Sequence, residues 1–316
     1  PAGLDMEFLI VDDHSSDGTF EWLTTEEITA RGVRVLRNTT NRGYGASVNR
    51  AARVASGEVL VLLNQDLRFR PGWLKPMLAA WRQHPHRFAV GNLQYSARDG
   101  ALDHAGMVFT PSGHPEHFRA DETLVHAMPV REFPAVTFAC ALVDRQRFLR
   151  LGGLDARFLT GSEDVDICLR ARFQGWPSYV ANASAVEHQI SASPGRKLAE
   201  PENMRRFFGR WQMPAIVLGR DWEERLAWER ARPAGRLPPD ARHPGPPRIL
   251  VDLTPFASPA GNPIPADLWR ELETLAAHAA APCCMCLLVT PAQARDGGPV
   301  PGGLGLASER DRKSVV

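Results

Sequence analysis

The 316-residue chain lacks several features that would assign it to a familiar class of protein at once. No apolar run approaches the ~20 residues that a membrane-spanning helix needs, and no stretch resembles a signal peptide. The formal net charge is only +1, so no overall field attracts the protein to nucleic acid or to anionic lipid. We therefore expect a cytoplasmic globular protein that does not bind nucleic acid.

Cysteine is also scarce, and the motifs of several enzyme classes are missing. The cysteines include a single C-x-x-C, Cys283 to Cys286, without the second such pair of a zinc site, which favours reduced thiols in a reducing compartment. No G-x-S-x-G stretch supports serine hydrolysis, and the glycines of residues 301–305 lack the flanking strand and helix of a dinucleotide loop. The cysteines are Cys140, Cys168, Cys283, Cys284 and Cys286.

What the sequence does contain is an alternation of strand and helix signals over its first 85 residues. Short apolar runs that end in polar residues suit buried parallel strands, and the segments between them carry helix-start and helix-stop residues. This order predicts an α/β fold with a mostly parallel, doubly wound sheet. The strands are predicted at 7–12, 33–36 and 58–63, and the helices at 19–31, 41–57 and 71–84.

The middle of the chain is less regular. Residues 92–133 are rich in His, Gly and Pro, which indicates an insertion over one end of the sheet. A strand is predicted at 136–143, a helix capped by Ser162 runs to Gly175, and a strand at 179–186 leads to His188.

The composition changes in the last third of the chain. Residues 233–247 hold six prolines and indicate a linker between a first domain over 1–232 and a second region over 248–316. The second region opens with a strand, a helix at 266–280 and another apolar run, and then loses periodicity. We interpret it as a partial second α/β domain with an unstructured tail.

Polar side chains cluster at the ends of the predicted strands and at the start of one helix. Ligands of open parallel sheets bind beyond the carboxyl ends of the strands, so these residues should converge on one crevice. They are Asp12, Asp13, Asp66, Glu163, Asp164 and His188.

These residue types suit one kind of chemistry. A nucleotide diphosphate cannot lie beside carboxylates without a cation, and a divalent ion bound by Asp66 would bridge the two. His188 as a further ligand would shift the preference from Mg²⁺ toward Mn²⁺. Asp12 or Asp13 would accept hydrogen bonds from the base or ribose, and Asp164 would be the general base that deprotonates the acceptor hydroxyl.

Each of these residues also has a purely structural interpretation. Asp12 and Asp13 could cap the next helix, Asp66 could be a turn residue, and His188 could be a hydrogen-bonded structural histidine. Acids such as Asp164 favour the first turn of any helix. The order and spacing of the whole set, and no single member, favour the catalytic interpretation.

Four stretches resemble family 2 glycosyltransferases of the GT-A fold over about residues 7–212: VDDHSSDGT, NRGYGASVNRAA, GEVLVLLNQDL and LGGLDARFLTGSEDVDICLRARFQGW. The resemblance implies that Asn64 and Asp66 occupy the Asp-x-Asp position, with Asp66 binding the metal. It also implies that Glu163 lies in the nucleotide-sugar site, that Asp164 is the catalytic base and that His188 is a metal ligand. The first strand of the family fold, normally upstream of Asp12, is not found in this sequence.

Residues 99–106 (DGALDHAG) are similar to bacterial members that build O-antigen or rhamnose-containing polysaccharides. The resemblance therefore implies inverting, Mn²⁺- or Mg²⁺-dependent transfer from a UDP- or dTDP-sugar to a glycan or lipid-linked acceptor. It also implies peripheral association with the inner face of the cytoplasmic membrane. Residues 248–290 are similar to the start of a GT-B glycosyltransferase domain. A non-catalytic scaffold and a sugar nucleotidyltransferase are the alternatives, although no Gly-rich basic loop of the latter is visible.

Overall fold

The protein is described as a computed structural model, which divides into two compact units. One unit is Pro1–Val108 with His117–Arg210, and the other is Phe109–Glu116 with Trp211–Val316. The structure describes residues 5–119, 125, 128–159, 161–189 and 199–231, and the strands at 248–252, 284–288 and 304–307.

Two parallel strands open the first unit, as predicted. β1 (Phe8–Asp12) pairs in register with β2 (Val33–Arg37). The single helix predicted between them is wrong, because the segment forms two short helices, α1 (Thr19–Leu23) and α2 (Glu26–Thr29). The Thr24 hydroxyl donates to the carbonyl oxygens of Phe20 and Glu21, and such local side-chain bonds compete with the continuation of a helix.

The main sheet of this unit has seven strands in the order β3-β10-β5-β11-β4, with β6 paired to β5 and β9 paired to β11. A separate pair, β7 with β8, forms a two-stranded sheet. The strands are β3 (Val59–Leu63), β4 (Leu67–Phe69), β5 (Ala89–Ser96), β6 (Leu102–His104), β7 (Met107–Phe109), β8 (Pro115–His117), β9 (Val130–Phe133), β10 (Cys140–Asp144) and β11 (Ser178–His188).

The α/β class is confirmed, but the main sheet is mixed where mostly parallel pairing was predicted. β11 runs parallel to β5, whereas β10 is antiparallel to both β3 and β5, and β4 is antiparallel to β11. The described strands β6, β7, β8 and β9 lie between β5 and β10 in the chain, and β10 is antiparallel to β5. A parallel strand normally needs a crossover connection, usually a helix, whereas an antiparallel strand does not.

The prediction of an irregular insertion from residue 92 is wrong at its start. Residues 89–96 form β5, which lies in the middle of the sheet, and its first six residues are buried. Gly91 leaves room for the side chain of Val136, which would contact any Cβ at that position. Buried Asn92 and Gln94 interrupt the apolar pattern by which a central strand is usually recognised.

A helix packs against the middle strands of the main sheet. In the core, Met77, Ala80 and Trp81 pack with Val90 of β5 and Val186 of β11. The remaining helices are α3 (Tyr44–Val54), α4 (Leu74–Gln83), α5 (Arg145–Arg150), α6 (Glu163–Arg172) and α7 (Glu200–Ala231).

β1 and β3 begin close together without pairing. The Glu7 carboxylate before β1 accepts hydrogen bonds from the backbone N–H groups of Ser56 and Gly57, just before β3. Among the described strands, β1 pairs with β2 alone and β3 with β10 alone. Apolar residues of these two strands are exposed: Phe8, Ile10, Val61 and Leu63.

The second unit contains a parallel sheet of β12 (Arg248–Asp252), β13 (Cys284–Leu288) and β14 (Leu304–Ala307). The first two strands agree with the strand signals of the sequence. The predicted linker at 233–247 and the predicted helix at 266–280 lie outside the described residues. No helix in the described part of the chain has both the length and the apolarity to cross a membrane.

Candidate functional site

Asp66 and His188 meet at the edge of the main sheet. Asp66 lies in the short link from β3 to β4, and His188 is the last residue of β11. The His188 Nε2 atom is 3.2 Å from the Asp66 Oδ1 atom. The Gln189 N–H donates to the Asp66 carbonyl at 2.9 Å, which holds the two backbones together. The Asp66 Oδ1 atom is buried and accepts no hydrogen bond.

The backbone of residues 138–139 hydrogen-bonds to both Asn64 and Asp164. The Asn64 N–H donates to the Ala139 carbonyl at 2.8 Å, and the neighbouring Phe138 N–H donates to Asp164 Oδ2 at 3.2 Å. The Tyr44 hydroxyl donates to the Phe138 carbonyl at 3.0 Å. The Asp164 carboxylate is therefore attached to the residues just before β10, the strand that pairs with β3.

Tyr44 is a neutral donor near Glu163 and Asp164, the first two residues of α6. Burial raises the pKa of Tyr44 well above its ordinary value, and the charges of Asp164 and Glu163 raise it further. Because the phenol stays protonated, it can hold the Phe138 carbonyl and so support the backbone that binds Asp164.

The first turn of α6 is organised by its acids. Ser162 is the N-cap residue, as predicted, but it has a left-handed backbone and makes no side-chain cap hydrogen bond. Glu163 Oε2 accepts from the Gly161 N–H at 2.6 Å, and Asp164 Oδ1 accepts from the Val165 N–H at 2.8 Å. Acids at this end of a helix are also favoured by its dipole.

Asp13 is fully engaged with its own chain. Its Oδ1 atom accepts from the Asn38 side chain at 2.7 Å and from the Arg42 N–H at 2.9 Å. Its Oδ2 atom accepts from the Gly43 N–H at 2.7 Å, directly before α3. These bonds tie the loop after β1 to the N-terminus of α3. The role is structural, but the helix is not the next one in the chain, where the sequence interpretation placed the cap.

Asp12 has partners as well. Its side chain is fully buried, with Oδ2 3.2 Å from Arg37 Nε and Oδ1 accepting from the Ser15 N–H at 3.1 Å. A nucleotide at this position would have to compete with Arg37 for the carboxylate. The nucleotide-binding role of Asp12 and Asp13 thus remains a proposal, beside a structural role that the geometry displays.

A buried ion-pair network behind Asp164 was not predicted from the sequence. The fully buried Asp166 side chain pairs with Arg170 Nε at 2.9 Å and with Arg210 Nη1 at 2.6 Å. Arg210 also contacts Asp155 at 3.2 Å, and Arg170 donates to the carbonyl groups of Leu151 and Gly153. The i,i+4 spacing from Asp166 to Arg170 is visible in the sequence, but the pairing with Arg210 is not.

The Asp66–His188 pair fits a divalent cation of the expected kind. A buried carboxylate oxygen without a hydrogen-bond donor, beside an imidazole nitrogen, is a ready pair of ligands. Within the described segments, no group of three or more His, Cys, Asp or Glu side chains could hold a metal. Mg²⁺ and related ions often take one or two protein ligands and fill the other positions with water and substrate phosphates.

The cysteines of the first unit have no role in such chemistry. Cys140 and Cys168 are buried and free, as the sequence predicts. Burial raises the pKa of each thiol to about 12, so neither is a thiolate at neutral pH.

Comparison with protein families agrees with the resemblance noted in the sequence. Residues 2–147 match the family described as Glycosyl transferase family 2. This range includes Asn64 and Asp66, whereas Asp164 and His188 lie beyond it. The chain is 34% identical over 158 residues to the O-antigen biosynthesis protein RfbC of Myxococcus xanthus, covering 48% of this chain and 12% of that protein.

A second relative is the N-acetylglucosaminyl-diphospho-decaprenol L-rhamnosyltransferase of Mycobacterium tuberculosis. It is 29% identical over 213 residues, which cover 60% of this chain and 68% of that enzyme. A protein of Sinorhizobium fredii is 34% identical over 210 residues, which cover 64% of this chain and 23% of that protein. This chain therefore spans less than a quarter of two of the curated relatives that it matches.

Among solved structures, the chain is similar to a mannosyltransferase from Pyrobaculum calidifontis in complex with GDP-Man and Mn²⁺. The TM-score is 0.45 at 19% identity, and the similarity covers 73% of this chain and 67% of that chain.

Proposed function

Because the chain contains a family 2 glycosyltransferase domain, we propose that it transfers a sugar from a nucleotide diphosphate-sugar to a glycan or lipid-linked glycan acceptor. The transfer inverts the anomeric centre and depends on a divalent cation. The observation that supports this proposal best is the buried Asp66–His188 pair, whose free carboxylate oxygen lies at the sheet edge that also holds Asn64.

Asp66 and His188 would hold Mn²⁺ or Mg²⁺, and such an ion, when bound, neutralises the charge that develops on a diphosphate leaving group. The remaining polar groups act on the donor. The side-chain amide of Asn64 would hydrogen-bond the donor. Glu163, which accepts from the Gly161 N–H in the loop before α6, would lie beside the sugar of the donor. Asp12 and Asp13 are proposed as partners of the base or ribose.

Asp164 is the proposed general base. Its carboxylate accepts the proton of the acceptor hydroxyl as that oxygen forms a bond to the anomeric carbon. The bond from that carbon to the diphosphate breaks on the opposite face, and its electron pair leaves with the diphosphate. The hydrogen bond from the Phe138 N–H fixes the orientation of the Asp164 carboxylate.

The names of two relatives support the proposed class of acceptor. Their names refer to O-antigen biosynthesis and to a rhamnosyl transfer onto a decaprenol-linked sugar. We extend this to a role in bacterial polysaccharide synthesis, with a UDP- or dTDP-sugar as donor and a lipid-linked or polymeric glycan as acceptor. The proposed place of action is the cytoplasmic face of the inner membrane, with peripheral attachment.

The substitution Asp164→Asn tests the general-base role. We expect it to lower turnover by at least ~100-fold, since a general base contributes about 10²–10⁴-fold. Nucleotide binding should persist, because Asn keeps the shape of the side chain and the hydrogen bond from Phe138. The measurement is release of nucleoside diphosphate from a panel of UDP- and dTDP-sugars with Mn²⁺.

Asp99→Asn is the matched control. Asp99 is an exposed aspartate with a surface partner, Arg98, and the same chemical change there should leave turnover intact. Undiminished turnover in Asp164→Asn would remove the general-base assignment. Nucleotide binding without turnover in the unaltered protein would favour the non-catalytic alternative.

A further inference from the structure

Gln94 and His104 form a buried polar pair that the proposed mechanism does not use. They lie directly opposite each other on β5 and β6. Gln94 is 1% exposed and His104 is fully buried. Neither the amide oxygen and nitrogen of Gln94 nor the two ring nitrogens of His104 have a hydrogen-bond partner.

Such an arrangement needs a physical reason. A buried polar group without a partner costs about 1–3 kcal/mol, and native proteins satisfy nearly all of them. Two neighbouring side chains with four unsatisfied atoms therefore indicate that something else bonds to them.

The pair lies next to the proposed site. In the sheet register, Gln94 is opposite Val186 and Ser96 is opposite His188, so Gln94 and His188 share one face of adjacent strands. His104 continues that row on β6.

The chemistry of the pair is neutral. Burial is the main cause that lowers the pKa of His104 well below its ordinary value, so the ring is uncharged. A neutral imidazole and an amide each offer both a donor and an acceptor. Alcohol groups also donate and accept, whereas a phosphate only accepts, so the pair matches sugar hydroxyls better than a diphosphate.

We propose that Gln94 and His104 hydrogen-bond the ring hydroxyls of the sugar held beside Asp66 and His188. This rests on the proposed function and adds the residues that recognise the sugar itself. The His117 ring covers His104 in an edge contact, with centroids 4.8 Å apart. His117 is partly exposed, and its Nδ1 atom lies 3.1 Å from the Asp103 carbonyl oxygen. In the proposed complex the sugar takes the place of the His117 ring against His104.

The test uses Gln94→Met and His104→Phe, two substitutions that remove the polar atoms but keep most of the volume. Calorimetry with Mn²⁺ compares UDP and dTDP with UDP-glucose, UDP-N-acetylglucosamine and dTDP-rhamnose. We expect either variant to bind the preferred nucleotide-sugar about 10-fold more weakly, the loss of about one hydrogen bond, while its affinity for the bare nucleotide is unchanged. The thermal midpoint without ligand should stay equal or rise, because a desolvation cost is removed.

Gln83→Met is the control, since Gln83 is exposed at the end of α4 and the same change should alter neither affinity. An equal loss of nucleotide and nucleotide-sugar affinity in both variants would overturn the inference, as would unchanged nucleotide-sugar affinity. Either result leaves the proposed function intact. Failure of the unaltered protein to bind any of these nucleotides contradicts the proposed function itself, and the inference with it.

Discussion

The acids at the strand ends differ in what surrounds them. Asp13 accepts three hydrogen bonds from its own chain, and Asp12 is paired with Arg37. Asp12 Oδ2 and Asp66 Oδ1 are both buried and accept no hydrogen bond, but Asp12 faces the charged Arg37 guanidinium whereas Asp66 faces the His188 ring. A carboxylate that the fold leaves unsatisfied is the better candidate for a ligand, because buried polar groups otherwise find partners.

His104 should make the stability of the protein depend on pH. Its pKa is depressed in the folded protein, mainly by burial and further by His117, His188 and Arg119. In the unfolded chain a histidine titrates near pH ~6.5, so below that pH the unfolded state binds a proton that the folded state excludes. We expect the free energy of unfolding to fall as the pH drops below about 6.5, and His104→Phe to reduce that slope.

Urea unfolding at pH 7.5 and pH 5.5 measures this difference directly. The other histidines are the same in both proteins, so the comparison of His104→Phe with the unaltered chain isolates the contribution of one ring. An identical pH dependence in the two proteins would show that His104 is not held neutral by the fold.

The sequence indicates part of the site at this scale. The proximity of Asp66 and His188 follows from their places at neighbouring strand ends, and the structure brings them together. The hydrogen bonds of Asp13 could not be predicted, because their donors lie 25 to 30 residues further along the chain. Donors that are distant in the sequence therefore decide whether an acid at a strand end, such as Asp13 or Asp66, has its carboxylate oxygens hydrogen-bonded.

Among the secondary-structure elements, α6 matters most, because it carries Asp164. Its Asp166, two residues further on, connects the helix to Arg170 on the same helix and to Arg210 on α7. Arg170 in turn holds the loop after α5 through the carbonyl groups of Leu151 and Gly153. The position of Asp164 therefore depends on contacts with two other segments.

Asp166→Asn should be strongly destabilising for this reason. Removing one partner from a fully buried ion pair typically costs about 3–5 kcal/mol. We expect a loss at the lower end of that range, because Arg170 and Arg210 are partly exposed and Arg210 keeps its contact with Asp155. Asp99→Asn again serves as the control, because an exposed pair such as Asp99–Arg98 contributes only about 0–1 kcal/mol. Urea unfolding of the two variants provides the measurement, and equal losses would mean that the Asp166 network does not hold α6.

The elements themselves were predictable where the pattern was simple. The apolar run of β3 and the cap and glycine signals around α3 identified both elements, whose bounds differ by a few residues. β5 escaped notice because Gly91, Asn92 and Gln94 break its apolar run, and a central strand with buried polar residues has no clear period. At the break between α1 and α2, the hydroxyls of Thr24 and Thr25 bond to nearby carbonyl oxygens. The composition of the segment favours a helix and does not reveal these bonds.

On the scale of the whole molecule, two neighbouring strands, β1 and β3, belong to different sheets. β1 and β3 start side by side, tied through Glu7, yet each has an edge without a strand partner among the described residues. Exposed Phe8 and Val61 lie on these two strands. These apolar side chains therefore lie on strand edges that no described strand covers.

The account depends on a cation held by Asp66 and His188 at the place where the diphosphate binds. Calorimetric titration of UDP and dTDP into the whole chain, with Mn²⁺ and then with EDTA, tests this directly. We expect binding with Mn²⁺, its loss in EDTA, and little metal dependence in Asp66→Asn and His188→Ala. The bound state should also resist unfolding, by about 2.7 kcal/mol when the ligand is at 100 times its Kd. Nucleotide binding that is equally strong in EDTA, or equally metal-dependent in both variants, would contradict the account.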